Sequence, residues 1–327
     1  MKTKFYQKLN SKALSIIEKA TGDLSIYQKK KLSELYVGKG LSIIYNECLY
    51  GNRGLKNPLN GAYKDQFFTP PYVGILFCKI LQIPKRAFIY DPAIGSGRLF
   101  LKTAGIDKHV FVTGIEIDAE VCRVAKALLG RQASIVNDNL LNYRDTGVKF
   151  TYCIGNPPMT ATLDDAKRIY KATNSKGKLT TFFAYLENAV MALDNGGLLG
   201  VVTPIGWRNH RNMSSTFYKW FKKRMTLLLE MPISGHIFVG SHTGNGRLLF
   251  SIEVYLKIDS NLISAFETKP IKFNKIFSPD ELARLASTPY SRIHKIYPEL
   301  HSFQKLYGPF IKLAATNAHR GQSPQHL

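Results

Sequence analysis

Three short stretches carry residue types whose spacing could do chemistry. The first is Asp91-Pro92-Ala93-Ile94-Gly95-Ser96-Gly97. It follows the apolar run Ala87 to Tyr90, which reads as a short buried strand that Asp91 and Pro92 end. Gly95 and Gly97 permit a tight turn and close backbone approach to a ligand. Leu99, Phe100 and Leu101 then open a predicted helix. A strand, a glycine turn and a helix N-terminus together make a nucleotide-type site. The dinucleotide fingerprint wants a third glycine where Phe100 stands, which disfavours a nicotinamide cofactor. An aspartate before the turn suits a ligand carrying positive charge. The second feature is Glu116, closing a predicted strand from Val110 to Ile117 about twenty residues beyond Gly97, where an acid can accept both hydroxyls of a ribose. The third is Gly155-Asn156-Pro157-Pro158-Met159, at the end of a predicted strand from Phe150 to Ile154. Asn-Pro alone is a common turn, but here it lies at a strand's C-terminal end downstream of the glycine loop.

These residues need a scaffold, and the rest of the chain reads as one. Residues 1 to about 60 form a predicted N-terminal helical segment: Leu9, Ala13, Ile16 and Ile17 recur at helical spacing before Thr21-Gly22-Asp23 breaks the run. Lys29, Lys30 and Lys31 follow in a second helix and read as a solvated face rather than a nucleic-acid contact. Thr69-Pro70-Pro71 is a start signal for an apolar helix over Val73 to Leu81. After Glu116 come a helix over Ala119 to Leu129, a strand at Ser134 to Val136, and Asp138-Asn139-Leu140, where Asp138 suits a turn or helix cap. Residues 160 to 181 are polar and basic without periodicity, and read as a mobile loop at the site. A helix over Phe182 to Leu193 closes at Asp194-Asn195-Gly196-Gly197, and Leu198 to Thr203 is a strand. Asn212 to Arg224 is a helix carrying Lys219, Lys222, Lys223 and Arg224. Strands follow at Leu227 and over Leu248 to Ile258, with Gly235-His236-Ile237-Phe238 and the glycine-rich Gly240 to Gly246 between them. Residues 259 to 327, with five prolines from Pro270 to Pro309, are expected to form a small basic C-terminal extension with a loose terminus.

Composition narrows the classes. The 327 residues include 45 Lys plus Arg against 23 Asp plus Glu, a formal charge of +22, which points to a polyanionic partner, most simply nucleic acid. Hydrophobic residues make up 45%, so global disorder is excluded. No apolar run is long enough to span a bilayer, and the N-terminus is too polar for a secretory signal. Cys48, Cys78, Cys122 and Cys153 show no paired spacing. They read as buried thiols of a cytoplasmic, reducing compartment, not as a metal site or a disulfide frame.

Taken in order, Phe68-Thr69-Pro70, Asp91-Pro92-Ala93-x-Gly95-Ser96-Gly97, Glu116, Asp138 and Asn156-Pro157-Pro158 resemble the gamma class of DNA adenine methyltransferases, and most closely the modification subunits of type I restriction–modification systems. The resemblance covers roughly residues 62 to 258, and makes residues 61–258 the catalytic domain. It implies an α/β Rossmann-like sheet of seven mostly parallel strands with the last antiparallel, helices on both faces, and a site at the C-terminal edge. It implies S-adenosyl-L-methionine as cofactor, with Phe68, Thr69 and Pro70 across the methionine end. Asp138, beside Asn139, would take the adenine amino group, and Ile117 and Leu140 would line the ring. It implies a flipped-out adenine in DNA as the methyl acceptor. The Asn156 side-chain oxygen and the Pro157 carbonyl would accept the amino hydrogens and localise the nitrogen lone pair, and no metal is required. The family has an aromatic residue where Met159 stands, and a second aromatic wall where Phe238 stands. Met159 leaves three readings: a weaker adenine enzyme, an altered substrate such as RNA or a protein glutamine, or an inert protein that binds cofactor and DNA. Recognition would come from a separate specificity subunit or a second copy of the chain, since no large recognition domain is visible.

Overall fold

The computed structural model describes residues 2–38, 68–142, 148–159, 162–163, 179–209, 215–238, 249–258 and 269–318. Residues 39–60, with Cys48, the stretch ahead of Phe68, most of the 160–181 loop and the glycine-rich 240–246 stretch lie outside the described residues.

An eight-stranded sheet forms the centre. Its strands are β1 (Phe88–Asp91), β2 (Phe111–Glu116), β3 (Ala133–Asn137), β4 (Phe150–Gly155), β7 (Leu193–Pro204), β8 (Met225–Ser234), β9 (Leu249–Lys257) and β10 (Ile271–Lys272). The spatial order is β10-β8-β9-β7-β4-β1-β2-β3. β3, β2, β1, β4 and β7 run parallel, and β9 alone runs antiparallel, to both β7 and β8. The sequence reading expected seven strands; β10, two residues long, pairs parallel to β8 and makes the eighth. A short antiparallel pair, β5 (Thr162–Leu163) with β6 (Leu179–Thr180), stands apart.

The strands are apolar on both faces, as a covered parallel sheet requires. Period-two alternation sends neighbours to opposite sides. Ile89, Tyr152, Ile154, Leu198 and Val202 face one core, whose cover includes α1 (Lys2–Glu18), α2 (Ile26–Leu35), α3 (Pro71–Ile80) and α4 (Ala119–Leu129). Tyr90, Cys153, Leu199, Val201 and Tyr255 face the other, under α5 (Thr181–Ala192) and α6 (Ser215–Lys222). Cys78, Cys122 and Cys153 are free thiols in these layers.

Four sequence expectations are corrected in detail. The helix after the glycine loop is not α-helical: a 3-10 turn over Arg98–Phe100 passes into a π-helix over Leu101–Ile106. The Asp194 to Gly197 turn lies inside β7, because Phe150 pairs with Leu193 while Tyr152 pairs with Leu198, so the intervening residues bulge out. Lys29 is not on a solvated face: it is buried and its Nζ donates to the Gly105 carbonyl at 2.8 Å, while Lys30 and Lys31 are exposed. The fourth correction concerns residues 269–318, expected as an appendage. They supply β10 and three helices, α7 (Pro279–Ser287), α8 (Tyr290–Ile296) and α9 (Pro298–Ala318). Phe273, Phe277, Leu285, Phe303 and Ile311 join the same core as the sheet. Pro279, Pro289 and Pro298 stand at or just before helix starts, where a missing N–H costs nothing. Three of the five prolines that broke the sequence pattern are therefore helix boundaries, while Pro309 lies inside α9 and Pro270 directly precedes β10.

Candidate active site

The C-terminal ends of β1, β2, β3 and β4 are neighbours in the sheet, so their loops converge on one edge. Asp91, at the tip of β1, is 1% exposed; its Oδ1 accepts the Ala93 N–H at 3.1 Å and the Tyr185 hydroxyl at 3.2 Å. Burial pushes its carboxyl up to about 7; the Ala93 and Tyr185 hydrogen bonds oppose that, and the nearby Glu116 charge adds to it. The loop then turns on Gly95 and Gly97, with φ of +59° and +72°, a left-handed backbone that a side chain would strain. Gly97 donates its N–H to the Ile94 carbonyl at 3.1 Å, and Ile94 donates to Ile115 on β2 at 2.9 Å, which ties the loop to the next strand. Pro92 and Ser96 are buried in this turn and Ala93 half-buried.

The remaining expected residues arrive from three sides. Phe68 lies over the loop: a Cβ on Gly95 would meet its ring at 3.7 Å, and that ring stacks on Tyr36 at 5.8 Å. Thr69 and Pro70 are buried behind it, Pro70 as the N-cap of α3. Glu116 is 8% exposed and its Oε1 accepts the Asp118 N–H at 2.7 Å, so the acid is fixed by the turn that starts α4. Ile117 next to it is 49% exposed, an apolar side chain standing open at the strand tip. Asp138 is exposed and engaged locally: its Oδ1 accepts Asn139 N–H and Asn142 Nδ2, each at 2.7 Å, so it caps its own turn. Asn139 Oδ1 accepts the Leu141 N–H at 3.0 Å. Leu140 is buried, and its carbonyl accepts Asn188 Nδ2 at 3.1 Å.

Asn156-Pro157-Pro158-Met159 leaves β4 beside Asp91. A Cβ on Gly155 would lie 2.6 Å from Asp91 Oδ1, so the strand carrying the asparagine touches the carboxylate of the glycine loop. Pro157 is buried; Asn156, Pro158 and Met159 are half-buried, and Met159 packs against both cores. Phe238 belongs to one of the cores that Met159 packs against. It is 4% exposed and packs edge-on against Phe250 with centroids 5.0 Å apart. Of the basic helix residues, Lys219, Lys222 and Lys223 are exposed, whereas Arg224 lies over the Trp220 ring at 4.8 Å and donates to the Trp220 carbonyl.

Two features escaped sequence reasoning. One is α5, whose Thr181, Tyr185 and Asn188 reach the loops of the site. Their i, i+4, i+7 spacing marks one stripe of an otherwise apolar helix, which was the available signal. The other is a buried charge cluster. Glu253, fully buried on β9, pairs with Arg208 at 2.6 Å and accepts the Trp207 indole N–H at 2.9 Å, and Arg208 also pairs with Glu230 at 2.9 Å. Burial raises the Glu253 carboxyl, and Arg208 opposes that rise. Nothing in a single sequence joins residues from a 3-10 turn and two strands.

Chemically, the edge offers two buried acids, a left-handed glycine turn, open apolar side chains and an amide beside a rigid proline pair. Such a set suits a ligand with a cation, a diol and a flat ring, next to a group presented to Asn156. The model of the N-6 DNA methylase family matches residues 56–220, about half of the chain. The chain is 30% identical over 154 residues to the type II methyltransferase M.TthHB8I of Thermus thermophilus, a match covering 42% of this chain and 34% of that protein. It thus spans about a third of the length of that curated relative. Among solved structures, a protein described as a class I S-adenosylmethionine-dependent methyltransferase from Listeria monocytogenes has a TM-score of 0.56 at 18% identity, covering 86% of this chain and 80% of that one. A protein described as the modification subunit of a type I restriction enzyme from Vibrio vulnificus has a TM-score of 0.50 at 15% identity, covering 72% and 50%. At these identities the structures establish a shared fold.

Proposed function

This chain belongs to the N-6 DNA methylase family, and from that premise we propose that it transfers a methyl group from S-adenosyl-L-methionine to the exocyclic amino group of an adenine in DNA. The observation that carries the reading is the contact of Asp91 with Gly155, which sets the cofactor loop against the Asn156 motif at one sheet edge. The residues fit the cofactor. Asp91 supplies a buried anion for its ammonium group, Glu116 an acceptor for its ribose diol, and Ile117 and Leu140 apolar surface for its adenine. Asp138 and Asn139 stand beside that surface, and Phe68, Thr69 and Pro70 close the loop side. The bound cofactor supplies an electrophilic methyl group on a sulfonium.

What the chain must do is ready the nitrogen. An aromatic amino group is a poor nucleophile because its lone pair is delocalised into the ring. Accepting its hydrogens on the Asn156 side-chain oxygen and the Pro157 carbonyl draws the nitrogen toward tetrahedral geometry. Orientation and electrostatics carry most of such a step. Pro157 and Pro158 stiffen the segment that presents these acceptors. The base must leave the duplex to reach them, and Met159 would pack on it. A specificity subunit or a second copy of this chain would choose the sequence to be methylated.

Transfer of a tritiated methyl group to DNA, RNA and protein side by side tests the reading, with DNA expected to be labelled. Asn156→Ala should lower turnover by orders of magnitude and leave cofactor affinity nearly intact, since its contribution arises mainly in the transition state. Met159, where the family has an aromatic ring, favours a second reading: a protein that binds cofactor and DNA without transfer. Wild-type protein that binds both yet labels no substrate, with no gain from Met159→Tyr, would establish that second reading.

A further inference from the structure

Three side chains of α5 reach three different loops of the site. Thr181 Oγ1 donates to the Pro158 carbonyl at 3.3 Å, in the segment after Asn156. The Tyr185 hydroxyl donates to Asp91 Oδ1 at 3.2 Å, in the glycine loop. Asn188 Nδ2 donates to the Leu140 carbonyl at 3.1 Å, and its Oδ1 accepts the Tyr90 hydroxyl at 2.8 Å. Tyr185 is the central member and is fully buried. It sits where β4 comes closest: a Cβ on Gly155 would lie 2.1 Å from its hydroxyl. No residue but glycine leaves room there for the tyrosine to reach the aspartate.

We propose that Tyr185 is a positioning residue for the cofactor, its hydroxyl seated against Gly155 so that the Asp91 carboxylate is held, ionised, toward the cofactor's ammonium group. This rests on the methyltransferase reading above. A carboxylate in a dry site needs hydrogen-bond donors to stay charged. Asp91 has the Ala93 N–H from its own loop and the Tyr185 hydroxyl from α5. The other titratable groups around it work against ionisation or are neutral. Glu116 on β2 adds like charge, the Cys153 thiol on β4 is held protonated by burial, and so is Tyr185 itself. Tyr90 on β1 lies behind, bonded to Asn188. Tyr185 is thus the one side-chain donor to Asp91 among the described residues, and loss of its hydroxyl should raise the pH needed to ionise the carboxylate.

The test is calorimetric titration of the full chain with S-adenosyl-L-methionine and with S-adenosyl-L-homocysteine from pH 5.5 to 9. Wild-type affinity should fall as pH drops through the Asp91 titration. Tyr185→Phe keeps the ring and removes only the donor. Its affinity should match wild type within about twofold at pH 9, while its midpoint moves up by half a unit or more, roughly a threefold loss in the acid limb. Site-specific 3-fluorotyrosine at 185, nearly isosteric and a stronger donor, should move the midpoint down, and serves if Tyr185→Phe fails to fold. A purely structural tyrosine would change affinity equally at every pH. An unmoved midpoint in either variant overturns the assignment while leaving the methyltransferase reading intact. Wild-type protein that binds neither compound at any pH overturns the cofactor reading and this inference with it.

Discussion

Asp91 joins the chemistry of the site to its stability. Its carboxyl is pushed up to about 7 by burial, against an ordinary value near 4 in an unfolded chain. Between those two pH values the folded protein holds a proton that the unfolded chain has released. Stability contributed by this group is therefore greatest near pH 4 and is lost as pH rises toward 7. Each unit of separation corresponds to about 1.4 kcal/mol, so the loss for a group this buried is on the order of a few kcal/mol. Asp91→Asn stays neutral throughout and removes the slope. Thermal melts of the cofactor-free protein at pH 5 and pH 8 should show wild type losing more stability than Asp91→Asn over that interval; parallel losses would place Asp91 in a wetter setting than the structure gives it. On the function proposed above, a cationic ligand would compensate this costly carboxylate, a trade of stability against function.

At the scale of elements, local chemistry made strands β1 to β4 and β7 readable. The expected helix over Ala119–Leu129 is present, started by Asp118 as its N-cap, and β2 ends at Glu116 as expected. Local chemistry also accounts for what went unread. The motif residues sit at strand tips, where spacing alone locates them. The α5 stripe and the Arg208–Glu253 cluster depend on which helix crosses which strand, and spacing carries no such information. The stretch after β9 went unread because prolines and charge obscured two short helices and one of 21 residues. Its importance can be measured. Phe277 is fully buried and packs edge-on against both Phe273 and Tyr297. Phe277→Ala should cost about 3–5 kcal/mol, the usual range for a core aromatic. Denaturant unfolding followed by the Trp207 and Trp220 fluorescence, which reports on the opposite face of the sheet, should shift to lower midpoint in one transition. A separate early transition that leaves that signal unchanged would make residues 269–318 an appendage after all.

On the scale of the whole molecule, charge is the dominant property. A net +22 over 327 residues exceeds what solubility needs, and repulsion among so many cations opposes the compact state. A polyanion relieves that repulsion and releases its own condensed counterions on binding. The described cations are not evenly employed. Lys29 and Lys79 donate to backbone carbonyls and Arg208 is committed to two glutamates, so they serve the fold. Lys219, Lys222 and Lys223 are exposed at the end of α6, on the side of the sheet covered by α5. If these three meet phosphates, affinity for duplex DNA should fall steeply with salt, with a log–log slope near −0.9 per phosphate neutralised. Replacing all three by glutamine should flatten that slope by about 3 and weaken binding to any sequence alike, because phosphate contacts carry no base information. Cofactor affinity should be untouched, since none of the three reaches the glycine loop. Fluorescence anisotropy with a labelled duplex between 50 and 200 mM salt measures the slope directly. A wild-type slope near zero would take DNA away as the acceptor and leave a protein or small-molecule amide in its place. A steep slope that the triple variant leaves unchanged would move the duplex to another face of the protein.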